Sequence, residues 1–165
     1  MNNDLTPHKY DLTSSTYDFH PTLRKVCEKV RPKRVLEWGP GYSTKLVHEV
    51  CPKAEIISIE HQLAWYEKAK IEAPFAKLIH VAIQPLNTDS YSAHPIKHKL
   101  GTFDVIFVDG VSRSACLITA SLILNPKGVI LLHDSKTANY QPAVIVLQKI
   151  GFKFKRENRT GVFTR

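Results

Sequence analysis

Apolar positions along this chain keep changing rhythm, and each change marks an element. Leu23, Val26, Cys27 and Val30 recur at helical spacing after Pro21 and stop at Pro32, which predicts one helix. The run RVLEW at 34–38 predicts a buried strand. A glycine turn follows it and leads into a second helix carrying Leu46, Val47 and Val50, with Ser43 or Thr44 as its cap. The alternation then repeats. Strands are predicted at 54–60, 76–83, 103–110 and 128–134, and helices at 62–73, 112–124 and 140–150, with NPKG at 125–128 read as a turn. Residues 84–101 are polar and read as a loop with at most one helical turn, and a loop of that length is more often functional than idle. FKFKR and GVFTR close the chain as an antiparallel pair around a turn.

Strands that are apolar on both faces and alternate with helices require a parallel sheet covered on both sides. Residues 1–20 lack any period and are expected to form an arm, leaving 21–165 as a single domain. A chain of 165 residues, 43% hydrophobic and 23% charged, suits one domain with a proper core. The N-terminal stretch lacks the basic-then-apolar order of a signal peptide, and no apolar run approaches the roughly 20 residues that span a bilayer. A cytoplasmic protein without a membrane partner is expected. Three cysteines without a CxxC pair argue against a disulfide framework or a zinc site. The net charge of +8 admits a nucleic-acid partner, but no Arg/Lys run is dense enough to form a binding arm, so a solvated basic face is the preferred reading.

Chemistry concentrates where predicted strands end, because open parallel sheets bind ligands there. Gly39 and Gly41 follow the first strand, allow a sharp turn and let backbone approach a ligand at the start of the next helix. Glu60 ends the second strand, where a carboxylate can accept from both hydroxyls of a ribose. A nicotinamide fingerprint is not met, since Thr44 stands at its third glycine. Glu37, inside the first strand, disfavours a pyrophosphate but suits a ligand with an ammonium group, reached through ordered water. S-adenosylmethionine has such a group and no phosphate.

LEWGPGYS, SIEHQLAWYEKA, FDVIFVDGVSR, NPKGVILLHDS and the closing hairpin together resemble the class I S-adenosylmethionine-dependent methyltransferases, from about Lys33 to the C-terminus. EH…WYEK, VDGVSR and LHDS are most similar to a small branch near the caffeoyl-CoA and catechol O-methyltransferases. The resemblance implies a Rossmann-like three-layer α/β sandwich, with a mostly parallel seven-stranded sheet and an antiparallel last strand. It implies S-adenosylmethionine held by Glu37, Gly39, Pro40, Gly41, Ser43, Glu60, His61 and Asp109. The acid often found after the third strand is missing, so Ala82 and Ile83 would meet the adenine through backbone and apolar contact.

Candidate catalytic groups end the fourth and fifth strands: Asp109, Arg113, His133 and Asp134. Asp109 can orient substrate or act as base, and its competing role is to cap the next helix, where Ser112 is the rival. Arg113 can bind an acidic substrate group or simply pair with Asp109. His133 has the ordinary pKa of a base near neutrality, and a lone histidine at a strand end is as often a satisfied structural residue. Catechol-type relatives hold magnesium with residues matching Asp109 and Asp134, but Ser135 replaces their Asn, so a metal-free site is preferred. Trp65 and Tyr66 are read as packing residues. The chain has no inserted cap, so the arm, the 84–101 loop or a second subunit of a homodimer must cover the substrate. The leading expectation is O-methylation of a small molecule by in-line methyl transfer. RNA methylation and a non-catalytic cofactor-binding module are the alternatives.

Overall fold

The computed structural model describes residues 18–83 and 89–165. The expected arm, apart from its last three residues, and the first part of the 84–101 loop lie outside the described residues. The chain runs α1 (His20–Val30), β1 (Arg34–Trp38), α2 (Tyr42–Val50), β2 (Glu55–Glu60), α3 (Leu63–Glu72), β3 (Lys77–His80), α4 (Asp89–Ser92), α5 (His94–Lys97), β4 (Phe103–Val108), α6 (Arg113–Ile123), β5 (Leu124–Leu132), a 3-10 turn (Ala138–Tyr140), α7 (Gln141–Lys149), β6 (Lys153–Glu157) and β7 (Thr160–Thr164). The sheet order is β3-β2-β1-β4-β5-β7-β6, parallel throughout except for β7, which lies antiparallel between β5 and β6. This is the expected Rossmann-like sheet. Among the described residues, no helix is long and apolar enough to cross a membrane.

The strand period of two divides the core into two layers. Val35, Val105, Phe107 and Leu131 pack with Leu23 and Cys27 of α1 and Leu46 and Val47 of α2. Leu36, Trp38, Ile106, Val108 and Ile130 point the other way, toward Leu117 of α6 and Leu147 of α7. Each such side chain, fully buried, contributes about 1.5–3 kcal/mol. The first layer extends to α3 through the Lys45–Glu72 ion pair (2.6 Å) and the stacking of His48 on Phe75.

Three local expectations change. Gly41 is the N-cap of α2, and Ser43 and Thr44 sit inside its first turn, not at its cap. NPKG belongs to β5: pairing with β4 holds at Phe103↔Leu124, breaks, and resumes at Val105↔Val129, so the segment is an excursion within the strand. The described part of the 84–101 loop forms two short helices, α4 and α5, and α4 drives Tyr91 into the core. The Tyr91 hydroxyl donates to the Ile59 carbonyl (3.3 Å), and the Tyr91 carbonyl accepts from the Trp38 indole (3.2 Å), which plugs the sheet at the ends of β1 and β2.

Gly110, just beyond β4, must stay small for this reason, because a Cβ there would fall on the Tyr91 hydroxyl. Gly110→Ala is expected to lower stability by about 1–3 kcal/mol, the usual cost of overpacking. In a Tyr91→Phe background, which removes the clashing oxygen, the same substitution should cost clearly less. Urea unfolding of the four proteins measures the coupling; additive losses would mean that Tyr91 does not set the constraint.

Candidate functional site

The turn after β1 is fixed from both sides. The Gly39 amide donates to the Ile59 carbonyl (3.0 Å), and the Asp109 amide donates to the Trp38 carbonyl (3.0 Å), so the ends of β2, β1 and β4 are zipped together. Gly39 has φ +88°, and a Cβ there would meet the Gly110 amide at 2.9 Å, so the fold itself demands glycine. Gly41 differs: a Cβ would meet nothing within 4 Å. The space beside it opens into a cleft.

That cleft, about 650 Å³, lies at the C-terminal ends of β1, β2 and β4. Gly39, Pro40, Gly41, Ser43, Glu60, His61 and Asp109 line it, so seven of the expected cofactor residues share one space. Ala82 and Ile83 are not among its lining residues; Ala82 is exposed and Ile83 packs against the core.

Glu37 is placed differently from the expectation. It is buried beneath the turn, where one carboxylate oxygen accepts from the Ser43 hydroxyl and the other from Thr44 (2.6 Å) and Ser58 (2.8 Å). Thr44 in turn accepts from the Gly41 amide (3.0 Å). Burial pushes the Glu37 pKa up to about 7, against the pull of these three hydroxyls, with the Asp109 charge adding to the rise. Glu37 therefore holds the turn and does not line the cleft. Ser43 spends its hydroxyl on the same carboxylate.

Glu60 is buried at the end of β2, and its Oε1 accepts from the backbone amides of His61 (2.8 Å) and Gln62 (2.7 Å). His61 Nδ1 lies 2.8 Å from the same oxygen but out of line for a hydrogen bond. Oε2 has no hydrogen-bond partner among the described residues. Trp65, expected to pack, instead stands half exposed on the cleft wall with Lys68 over its ring (4.8 Å).

The four residues proposed for catalysis do come together, but they form an ion cluster beside the cleft. Arg113 donates to the carbonyls of Gly110 (2.9 Å), His133 (2.9 Å) and Asp109 (3.0 Å), and pairs with the carboxylates of Asp109 (2.9 Å) and Asp134 (3.1 Å). Its guanidinium is thus spent on tying β4 to β5, leaving it poorly placed to bind a substrate anion. Neither Asp109 nor Ser112 caps α6 through its side chain. His133 is buried beneath Phe19 (ring centroids 5.2 Å), with Nδ1 at 2.9 Å from Asp109 and Nε2 at 3.0 Å from Asp18. With a carboxylate at each nitrogen, both must donate, which only the imidazolium does. Burial pulls its pKa down, but the hydrogen bond and charge of Asp109, with Asp18 and Asp134, outweigh it and hold the value above 6.5. His133 in this setting is a clamp and not a base. Asp18 and Phe19, which the sequence did not single out, supply the closing contacts.

The carboxylates do not fit magnesium. Asp134 gives one oxygen to Arg113 and the other to Arg159, and Asp109 Oδ1 serves His133 and Arg113 together. Ser135 is buried against the β6–β7 hairpin, donating to the Arg159 carbonyl (3.0 Å). An ion would have to displace two guanidinium groups.

No family model and no curated protein matches the sequence. Among solved structures, the chain is similar to a candidate caffeoyl-CoA O-methyltransferase from Staphylococcus aureus, with TM-score 0.71 and 12% identity over 88% of this chain and 82% of that one. A methyltransferase-like protein from Silicibacter pomeroyi gives TM-score 0.69 and 21% identity over 93% and 87%. A Podospora anserina methyltransferase with S-adenosylhomocysteine bound gives 0.67 and 19% over 93% and 79%. The fold is the one these methyltransferases share.

The cluster predicts a pH signature. A histidine raised in the folded state contributes stability that is complete below its unfolded value, about 6.5, and is lost as pH rises through the folded value. Asp134, held low because His133, Arg113 and Arg159 outweigh its burial, contributes above 3.8 and loses that stability as pH falls through its folded value. Imidazole NMR should find His133 titrating above 6.5 and moving down in Asp18→Asn. A wild-type value at or below 6.5 would show the clamp is not charged.

Proposed function

We propose that the protein is an S-adenosylmethionine-dependent methyltransferase acting on a hydroxyl of a small molecule. The observation that carries this reading is the pairing of Glu60 with Gly41 on one cleft. The carboxylate has one oxygen locked by backbone and one left open, and it shares the cleft with a backbone turn that leaves open space beside Gly41. When bound, the cofactor supplies an electrophilic methyl on a sulfonium.

The chain's own residues then divide the work. Glu60 Oε2 accepts from ribose hydroxyls, and its two locked amides keep the carboxylate from rotating away. The turn at 39–41 and the first amides of α2 accept close approach of the amino-acid part. Trp65, on the cleft wall, offers an apolar face to the nucleoside. Asp109 reaches the cleft with Oδ1 held by His133 and Arg113, while Oδ2 has no hydrogen-bond partner among the described residues. That free oxygen is placed to accept the proton of an incoming hydroxyl and aim its lone pair. His133 and Arg113 position Asp109 and do not touch the acceptor.

S-adenosylhomocysteine should raise the melting temperature while NAD leaves it unchanged, since a ligand at a hundredfold excess over its dissociation constant stabilises by about 2.7 kcal/mol. Glu60→Gln keeps an acceptor for the two amides but loses the charge. It is expected to weaken binding by about 1.5–3 kcal/mol without matching loss of stability. Calorimetry showing equal affinity in variant and parent would move the ribose elsewhere.

Asp109→Asn should keep cofactor affinity nearly intact and lower turnover by about tenfold or more, the behaviour of a group acting in the transition state. Cofactor binding with no turnover by the parent on a broad panel of hydroxyl acceptors would instead support a non-catalytic binding module.

A further inference from the structure

The charge of +8 is not spread evenly over the molecule. At the opposite end of the sheet from the cleft, where β1, β4, β5 and β6 begin, a groove of about 800 Å³ runs between α1, the β5 excursion and the β6–β7 hairpin. Seven Lys and Arg side chains besides Arg165 line it, against only two carboxylates. Both carboxylates are occupied. Asp104 accepts from the amides of Lys33 (2.9 Å) and Arg34 (3.0 Å) and from Asn125 (2.7 Å). Glu157 is shared between Lys155 (2.8 Å) and Lys25 (3.3 Å). Lys29, Arg31, Lys33, Lys127 and Lys153 are exposed and form no ion pair with a described residue.

Like charges crowded into a concavity repel one another and raise the local concentration of anions. The cations come from three separate stretches of chain, which suits a row of phosphates better than a single anion. None of the exposed large apolar residues, such as Ile71, Leu122, Ile145 and Ile150, lines the groove, so it lacks the apolar anchor that holds a basic surface in a bilayer. A second copy of this chain would bring the same charge to the contact.

We propose that this groove binds the phosphodiester backbone of a nucleic-acid strand. The cleft lies at the other ends of the same strands, so the bound strand is a docking partner and not the methyl acceptor. The inference does not rest on the methyltransferase reading, since it uses no residue of the cleft.

Fluorescence anisotropy of a labelled 15-nucleotide oligouridylate tests it on the full chain. Binding is expected at 50 mM salt, and log Kd should rise with log salt with a slope of about 3, as for roughly four phosphates on a single strand. Lys29→Glu with Lys153→Glu should weaken binding at least tenfold. Lys70→Glu with Lys97→Glu, an equal change of charge on exposed helices outside the groove, should weaken it less than threefold. All four positions are exposed, and circular dichroism melts confirm that each variant folds. No binding at 50 mM salt, or equal losses in the two double variants, overturns the proposal. So does sedimentation with phosphatidylserine vesicles in the absence of oligonucleotide binding, which would assign the groove to a membrane surface.

Discussion

The candidate site depends on one buried carboxylate. Glu37 lies opposite Ser58 in the β1–β2 register, on the sheet face that α2 covers. Its two oxygens collect hydroxyls from β2 and from the first turn of α2. A carboxylate out of water is costly unless its lone pairs are filled. Here the filling groups are those that must be immobile for the turn at 39–41 to keep its shape. The same bonds bring the Thr44 hydroxyl under the Gly41 amide. Removing Ser43 would leave one buried oxygen of Glu37 without a donor, and the shared bonds hold the turn, the helix start and the second strand as a unit.

From that unit follow the different fates of the other carboxylates. Glu60 ends β2 two residues beyond Ser58, anchored by backbone on one side only, and so remains available to a ligand. Asp109 ends β4 and is half used, one oxygen serving His133 and Arg113. Asp134 is wholly used, and its backbone sits in the left-handed region at φ +55°. Moving away from the cleft, the acids pass from open to fully paired, and Arg113 joins them by gripping the carbonyl ends of β4 and β5. The acids of the cluster beside the cleft are thereby paired with Arg113, Arg159 and His133, while cations without an ion-pair partner among the described residues gather at the far end of the sheet.

Strand and helix identities were legible because burial on two faces leaves continuous apolar runs such as FDVIFV, and because glycine and proline punctuate them. That Glu60 faces the cleft was legible because an acid ending the strand beside a glycine turn lies where open parallel sheets bind ligands. Glu37 was misjudged for a physical reason. Its type and position are written in the sequence, but its partners Ser43, Thr44 and Ser58 meet it only once β1, α2 and β2 are packed, and hydroxyls carry no periodic signal. For His133 the sequence leaves base and structural residue open, because its partner Asp18 lies 115 residues away in a stretch with no rhythm. Tyr91 escaped notice similarly, as a single aromatic among polar neighbours that becomes the plug over Trp38. Backbone contact at Ala82 and Ile83 was inferred from a missing acid, and an absence does not specify where a wall of the cleft will stand.

A crystal structure with S-adenosylhomocysteine tests the central claim most directly. The ribose hydroxyls should lie within hydrogen-bond distance of Glu60 Oε2, the amino-acid part against the backbone at 39–41, and the sulfur toward Asp109, with the three hydroxyls still on Glu37. Ligand density outside this cleft, or a ribose held by groups other than Glu60, would contradict it.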